Sequence, residues 1–226
     1  MIKPSSGPHN LENCLPLALA LRDILGVAQT RKEAQKILRQ SKVLVDGKRQ
    51  SKDDFPLGLM DAISIPEADK HYRVMPSHKG LVLAPISKEE TNFKLFRIED
   101  KVTVTGGVQL NLHDGSNILV KTADPKKPQE DVYSTFDVLK LSLPDRQILE
   151  CVELKEGNIA VIRGGKNIGV QGKIVEIEKA EAKKRKNALV VVEDKESKRY
   201  QTILDFVFSI GATQPLITTL EAAAVV

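Results

Sequence analysis

The chain has no tryptophan, only three tyrosines and six phenylalanines among its 226 residues. With so few rings, base stacking on aromatic platforms should be secondary, so a nucleic acid held by this chain should be held mainly through shape and backbone. Cysteine is nearly absent too: Cys14 and Cys151 lie far apart and outside any C-x-x-C pair, which argues against a disulfide framework or a zinc ribbon and fits a reducing cytoplasm. No apolar run reaches the roughly 18 residues that a membrane span needs. The opening MIKPSSGPHNLENC has no apolar core of a secretory signal, so no membrane partner is expected.

Catalytic patterns are missing as well. His9, His71, His78 and His113 lack H-E-x-x-H or other close ligand spacing, so no metal site is expected. There is no G-x-S-x-G. A phosphate-binding loop would need G-x-x-x-x-G-K-[ST], but Asn167 stands in place of the first glycine before Gly172-Lys173, and Ile174 in place of the hydroxyl. No catalytic residue and no cofactor is therefore expected, which favours a binder over an enzyme.

What the chain does have is unevenly placed positive charge. The formal net charge is +4, but residues 22–52 hold nine cations against three acids, and residues 53–69 hold five acids and no cation. A local field of this kind steers polyanions. Thr30 and Glu33 form a capping box, which starts a helix at Arg31. At about 100° per residue, Ala34, Ile37 and Leu38 share one arc while Arg31, Lys32, Gln35, Lys36 and Arg39 fan across the other side. Lys42 follows, then Val43-Leu44-Val45, then Asp46-Gly47, the dipeptide suited to a type I′ hairpin, which folds Lys48 and Arg49 back. Upstream, residues 15–25 read as a first helix, with Pro16 in the opening turn, Arg22 as its cation and Gly26 at its end.

Residues 74–154 hold 10 cations and 12 acids and read as short strands and turns, with a helix suggested only over 88–96. From residue 155, EGNIAVIRGGKNIGVQGKIVEIE places glycines at 164, 165, 169 and 172 in a sharp loop with Lys166 at its tip and Asn167 beside it. Strands are expected at 158–162, 174–177, 188–192, 200–203 and 207–210. The run KAEAKKRK, with Lys183, Lys184, Arg185 and Lys186, should project as an electrostatic loop.

Arg22, Thr30-Arg31-x-Glu33-Ala34, Val43-x-Val45-x-Gly47-Lys48 and Asp61-x-Ile63 resemble the S4 RNA-binding domain, and the glycine loop resembles the KOW motif. With SSGPH, FPLGLMDAISIPE, LNLHDGSNILV and DFVFSIG, nearly the whole chain is similar to the archaeal type of the small-subunit ribosomal protein family S4e. The resemblance implies an α+β fold: an N-terminal arm (1–10), an S4-like two-helix and hairpin module (11–73), a β-rich centre (74–154), a KOW-type SH3-like barrel (155–211) and a tail (212–226). Family members generally carry a longer basic arm, whereas here only Lys3 precedes SSGPH. The resemblance further implies a structural constituent of the small subunit, in the cytoplasm on the ribosome, with small-subunit rRNA and neighbouring ribosomal proteins as partners. Arg31, Lys32, Lys36, Arg39, Lys42, Lys48 and Arg49 would form a phosphate cradle with Arg22 and Gln35 at its edge. Lys166, Asn167, Lys183, Lys184, Arg185 and Lys186 would form a second site. The alternatives are an RNA-modifying enzyme that docks through its S4-like unit and a free KOW translation or transcription factor.

Overall fold

The computed structural model describes residues 2–40, 42–121, 132–178 and 185–220. Among these, three antiparallel five-stranded sheets carry most of the chain, and two short helical segments pack on the first sheet. The fold is β-rich.

The first segment, α1, is an α-helical turn at Leu17–Leu19 that continues as a π-helical turn at Ala20–Ile24. Leu15–Pro16, expected inside this helix, pairs instead with Pro56–Leu57, because Pro16 takes an extended conformation at ψ 136. Gly26 follows at φ +62, left-handed geometry that glycine adopts without a Cβ clash. Helix α2 is Arg31–Arg39. Thr30 accepts from the Glu33 N–H, and the Glu33 carboxylate reaches back to the Gln29 N–H.

The first sheet runs in the order Lys48–Arg49, Leu44–Val45, Ala62–Ile65, Lys70–Ser77, Gly80–Pro85. Asp46 (φ +50) and Gly47 (φ +74) make its hairpin turn, both positive as type I′ requires. Leu17, Leu21, Ala34, Leu38, Val45 and Ile63 are fully or almost fully buried between α1, α2 and this sheet. The strand Lys70–Ser77 passes through the expected 73/74 boundary, so the sheet reaches Pro85.

The second sheet runs Asn117–Lys121, Gly107–Leu112, Phe93–Val104, Val138–Ser142, Ile148–Val152. The helix expected over 88–96 shrinks to a 3-10 turn, Glu89–Asn92, and Phe93 opens a twelve-residue strand. Its sequence does not read as a buried strand because Lys94 and Arg97 are themselves buried in it. The third sheet runs Arg199–Ile203, Leu189–Glu193, Gln171–Ile177, Ile159–Ile162, Val207–Gly211.

One apolar cluster is shared by all three sheets: Met60 and Met75 of the first region, Leu95 and Val138 of the second, Val161 and Phe208 of the third. Residue Ile217 of the tail joins it, and Thr218 N–H donates to Glu90 Oε2 at 3.0 Å, so residues 212–220 close over the junction. Three buried cations reinforce the same junction. Arg73 donates to the carbonyls of Met60, Glu90 and Phe93 at 3.1, 2.7 and 3.1 Å. Lys94 donates to Asp46 at 2.7 Å and to Asp61. Arg97 reaches the carbonyls of Asp205 (2.7 Å) and Val207 (2.8 Å) in the third region and forks onto Glu99. Held by several partners in this way, a buried charge fixes geometry, although the Arg73 Nε itself has no hydrogen-bond partner among the described residues. The N-terminal arm is held too: His9 Nε2 lies 2.9 and 3.0 Å from the two Asp61 oxygens, and a Cβ on Gly58 would come within 2.1 Å of the His9 ring.

Candidate nucleic-acid interface

Ala34 and Leu38 anchor α2 to the core, which leaves Lys32, Lys36 and Arg39 on the opposite side of the helix, all exposed. Lys48 and Arg49 lie on the edge strand of the first sheet, paired with Val45 and Leu44, and are exposed as well. The turn that presents them is anchored from beneath: Asp46 Oδ1 accepts from the Ala62 N–H at 2.9 Å while Oδ2 takes the Lys94 ammonium. These five cations, with Lys52 beside them, have no ion pair among the described residues.

The other expected cradle residues are already engaged. Arg22 forks onto Asp23 at 2.5 and 2.8 Å. Lys42 lies 2.8 Å from Glu67. Arg31 Nε and Gln35 Nε2 converge on one oxygen of Asp53, at 2.6 and 3.1 Å, and the Arg31 hydrogen bond holds the Asp53 carboxyl below its usual range. Sequence reasoning misses Asp53 because it belongs to the acidic stretch after the cradle; the partnership spans 22 residues and has no local signature.

In the third region the glycines serve contacts. Gly164 and Gly165 lie against the Phe206 ring, where added Cβ atoms would come within 2.8 and 3.0 Å of it. Gly169 (φ +87) abuts Ser77 of the first sheet, whose Cα would stand 2.9 Å from an added Cβ. Lys166 is exposed; Asn167 donates to the Gln201 carbonyl at 3.2 Å, and both border a hollow of about 300 Å³ with Gln201, Thr202 and Phe206. Arg185 stacks 5.8 Å from the Phe136 ring centroid and donates to Thr135 Oγ1 at 3.1 Å, and Lys186 is exposed. Lys183 and Lys184 lie outside the described residues. Replacing Gly165 by valine combines φ +79 with the ring contact. Such strain costs about 1–3 kcal/mol, or a melting temperature roughly 2–12 °C lower, with weaker RNA binding. An unchanged melting curve with unchanged affinity would remove this loop from the interface.

Comparison with known proteins places these features in context. The family model described as "Ribosomal family S4e" matches residues 68–148, and that of the "S4 domain" matches residues 20–63. The chain is similar to the small ribosomal subunit protein eS4 of Staphylothermus marinus, 47% identical over 224 residues that cover 98% of this chain and 88% of that protein. It is likewise similar to the eS4 protein of Desulfurococcus amylolyticus, 48% identical over 225 residues, covering 99% and 88%. Among solved structures, the crystal structure of the 30S ribosomal protein S4e from Thermoplasma acidophilum matches with a TM-score of 0.72 and 32% identity, covering 89% of this chain and 96% of that one.

Proposed function

Since the chain belongs to ribosomal family S4e, we propose that it grips small-subunit rRNA through the unpaired cations of α2 and the Asp46-Gly47 hairpin. It is a structural constituent of the small ribosomal subunit, of archaeal type, and not an enzyme; it sits on the cytoplasmic ribosome with rRNA and neighbouring ribosomal proteins as its partners. The observation that carries the proposed contact is that Lys32, Lys36, Arg39, Lys48 and Arg49 are exposed and have no ion pair among the described residues, while acids neutralise their neighbours. An exposed cation without a partner gives up no protein contact when it takes a phosphate, so these five are its principal phosphate ligands. Arg22, Arg31, Gln35 and Lys42 are secondary ligands that must first exchange an acid of the chain.

We further propose the division into arm, S4-like module, β-rich centre, KOW-type SH3-like barrel and tail, with the first module's sheet extending to Pro85. The five-stranded third sheet, and the glycine loop between two of its strands, support the barrel. Lys166, Asn167, Arg185 and Lys186, with Lys183 and Lys184, form a second and weaker contact. Gradient fractionation of cell extract tests the assignment: the chain should travel with the small subunit and leave it as salt rises, and a chain found mainly off the subunit would overturn it.

A further inference from the structure

The N-terminal arm crosses the first module along a fitted path. Ser5 N–H donates to the Asp54 carbonyl at 2.9 Å, Gly7 lies against Pro56, and the Pro8 carbonyl meets Gly115 in a turn of the second sheet. His9 follows, its side chain 5% exposed and pressed on Gly58. Its Nε2 faces both oxygens of Asp61, and since an ionised carboxylate only accepts, this nitrogen carries the hydrogen. Asp61 also accepts from the Gly58 N–H at 2.9 Å and from Lys94, and Lys94 donates in turn to Asp46 at 2.7 Å. Asp46 opens the turn that carries Lys48 and Arg49, and its other oxygen holds the Ala62 N–H. A line of donors and acceptors thus runs from the arm to the exposed cations of the hairpin.

Two carboxylates compete here for one buried ammonium. While His9 takes a share of the Asp61 charge, Lys94 stays between the two acids; without that donor, Asp61 draws the ammonium to itself and the grip on Asp46 loosens. We propose that His9 is a positioning residue for RNA binding: it sets the Asp46-Gly47 turn, and with it Lys48 and Arg49, by leaving Lys94 free to reach Asp46. The inference rests on the proposed grip of rRNA by that hairpin. Coupling is reciprocal, so rRNA held by the hairpin tightens the seat of the arm in turn.

The test compares three variants of the full chain. His9→Leu fills the space without a donor, and His9→Gln restores an N–H. Gly58→Ala reaches the same end by another route: its Cβ would come within 2.1 Å of the His9 ring and expel it, while the backbone N–H to Asp61 is kept. Amide hydrogen exchange reads the turn itself, because the Ala62 N–H is bound to the Asp46 carboxylate. In His9→Leu and in Gly58→Ala this amide should exchange about tenfold faster, while amides of α2 and of the third sheet keep their rates and His9→Gln lies near the parent. A merely structural role would speed all slow amides together. His9→Leu should also weaken rRNA binding about three- to tenfold, less than the loss of two phosphate contacts. In a Lys48→Glu, Arg49→Glu background it should weaken binding no further, because the contacts it positions are already gone. If that background binds rRNA as the parent does, the hairpin's part in RNA binding fails, and Ala62 exchange still decides whether His9 sets the turn. Uniform or unchanged exchange in His9→Leu, or an equal loss of rRNA affinity in both backgrounds, overturns the proposal.

Discussion

Replacing Lys94 by methionine should cost about 3–5 kcal/mol of folding free energy, because breaking a buried ion pair strands the remaining charges. At roughly 2–4 °C per kcal/mol for a chain of this size, the melting temperature should drop by about 6–20 °C. The Lys94 side chain is 1% exposed and serves two acids at once, Asp46 in the hairpin turn and Asp61 before the next strand. Burial by itself would lower the Lys94 ammonium, but Asp46 and Asp61 more than reverse this and raise it. Burial would likewise raise Asp61, and Lys94 and His9 instead hold it well below the usual carboxylate range. Asp46 shifts the other way, pushed up by burial and by the Asp61 charge. Asp61→Asn in the Lys94→Met background should recover part of the loss by removing a stranded charge. A loss below about 1 kcal/mol would show that the network does not hold the modules together.

The same region sets the acid response. His113 accepts from the Arg97 N–H at Nδ1 and donates from Nε2 to the Leu59 carbonyl, an arrangement that suits the neutral ring. Burial, with the Lys94 charge, pulls it down to about 3. An unfolded histidine titrates near 6.5, so between those values the unfolded state binds the extra proton and stability falls as pH is lowered, by up to about 1.4 kcal/mol per pH unit. Asp61 acts lower: its contribution is complete above the unfolded carboxylate value of about 3.9 and is lost as pH drops towards its depressed folded value. A His113→Gln chain should therefore show a shallower acid slope between about pH 6 and 4.

The second large effect concerns RNA. Reversing Lys32, Lys36, Arg39, Lys48 and Arg49 to glutamate should leave the fold intact, since exposed substitutions away from special features usually shift stability by less than about 0.5 kcal/mol. Each lost phosphate contact removes about 0.7–0.9 from the slope of log affinity against log salt. Losing five should flatten the slope by about 3.5–4.5 and weaken rRNA binding at moderate salt by on the order of a hundred- to a thousandfold. Lys79→Glu with Lys88→Glu, on exposed sites of the next two loops, reverses charge away from α2 and the hairpin and should change the slope little. An unchanged slope in the fivefold variant would remove α2 and the hairpin from the interface.

Local features were legible in the sequence. The Thr30–Glu33 cap and the Asp46-Gly47 turn depend on residues within a few positions of one another, and both appear where the residues place them. Features made by distant partners were not. The twelve-residue strand from Phe93 was hidden because Lys94 and Arg97 are buried against acids and carbonyls from other sheets, so the strand lacks an apolar pattern. The 73/74 boundary followed a shift in composition, whereas the strand across it follows pairing with Ala62–Ile65 on one side and Gly80–Pro85 on the other. In the basic face, residue types were readable but their acid partners were not, and Asp23, Asp53 and Glu67 divide one apparent cradle into free and occupied cations. Gly169 looked like a loop glycine and is also the point where Ser77 of another sheet comes close.

Lysine-to-RNA crosslinking on intact small subunits tests the central claim most directly. Crosslinks to rRNA should concentrate at Lys32, Lys36 and Lys48, be weaker at Lys42, and be absent from Lys94. Crosslinks confined to the second sheet, with none at those three lysines, would contradict it.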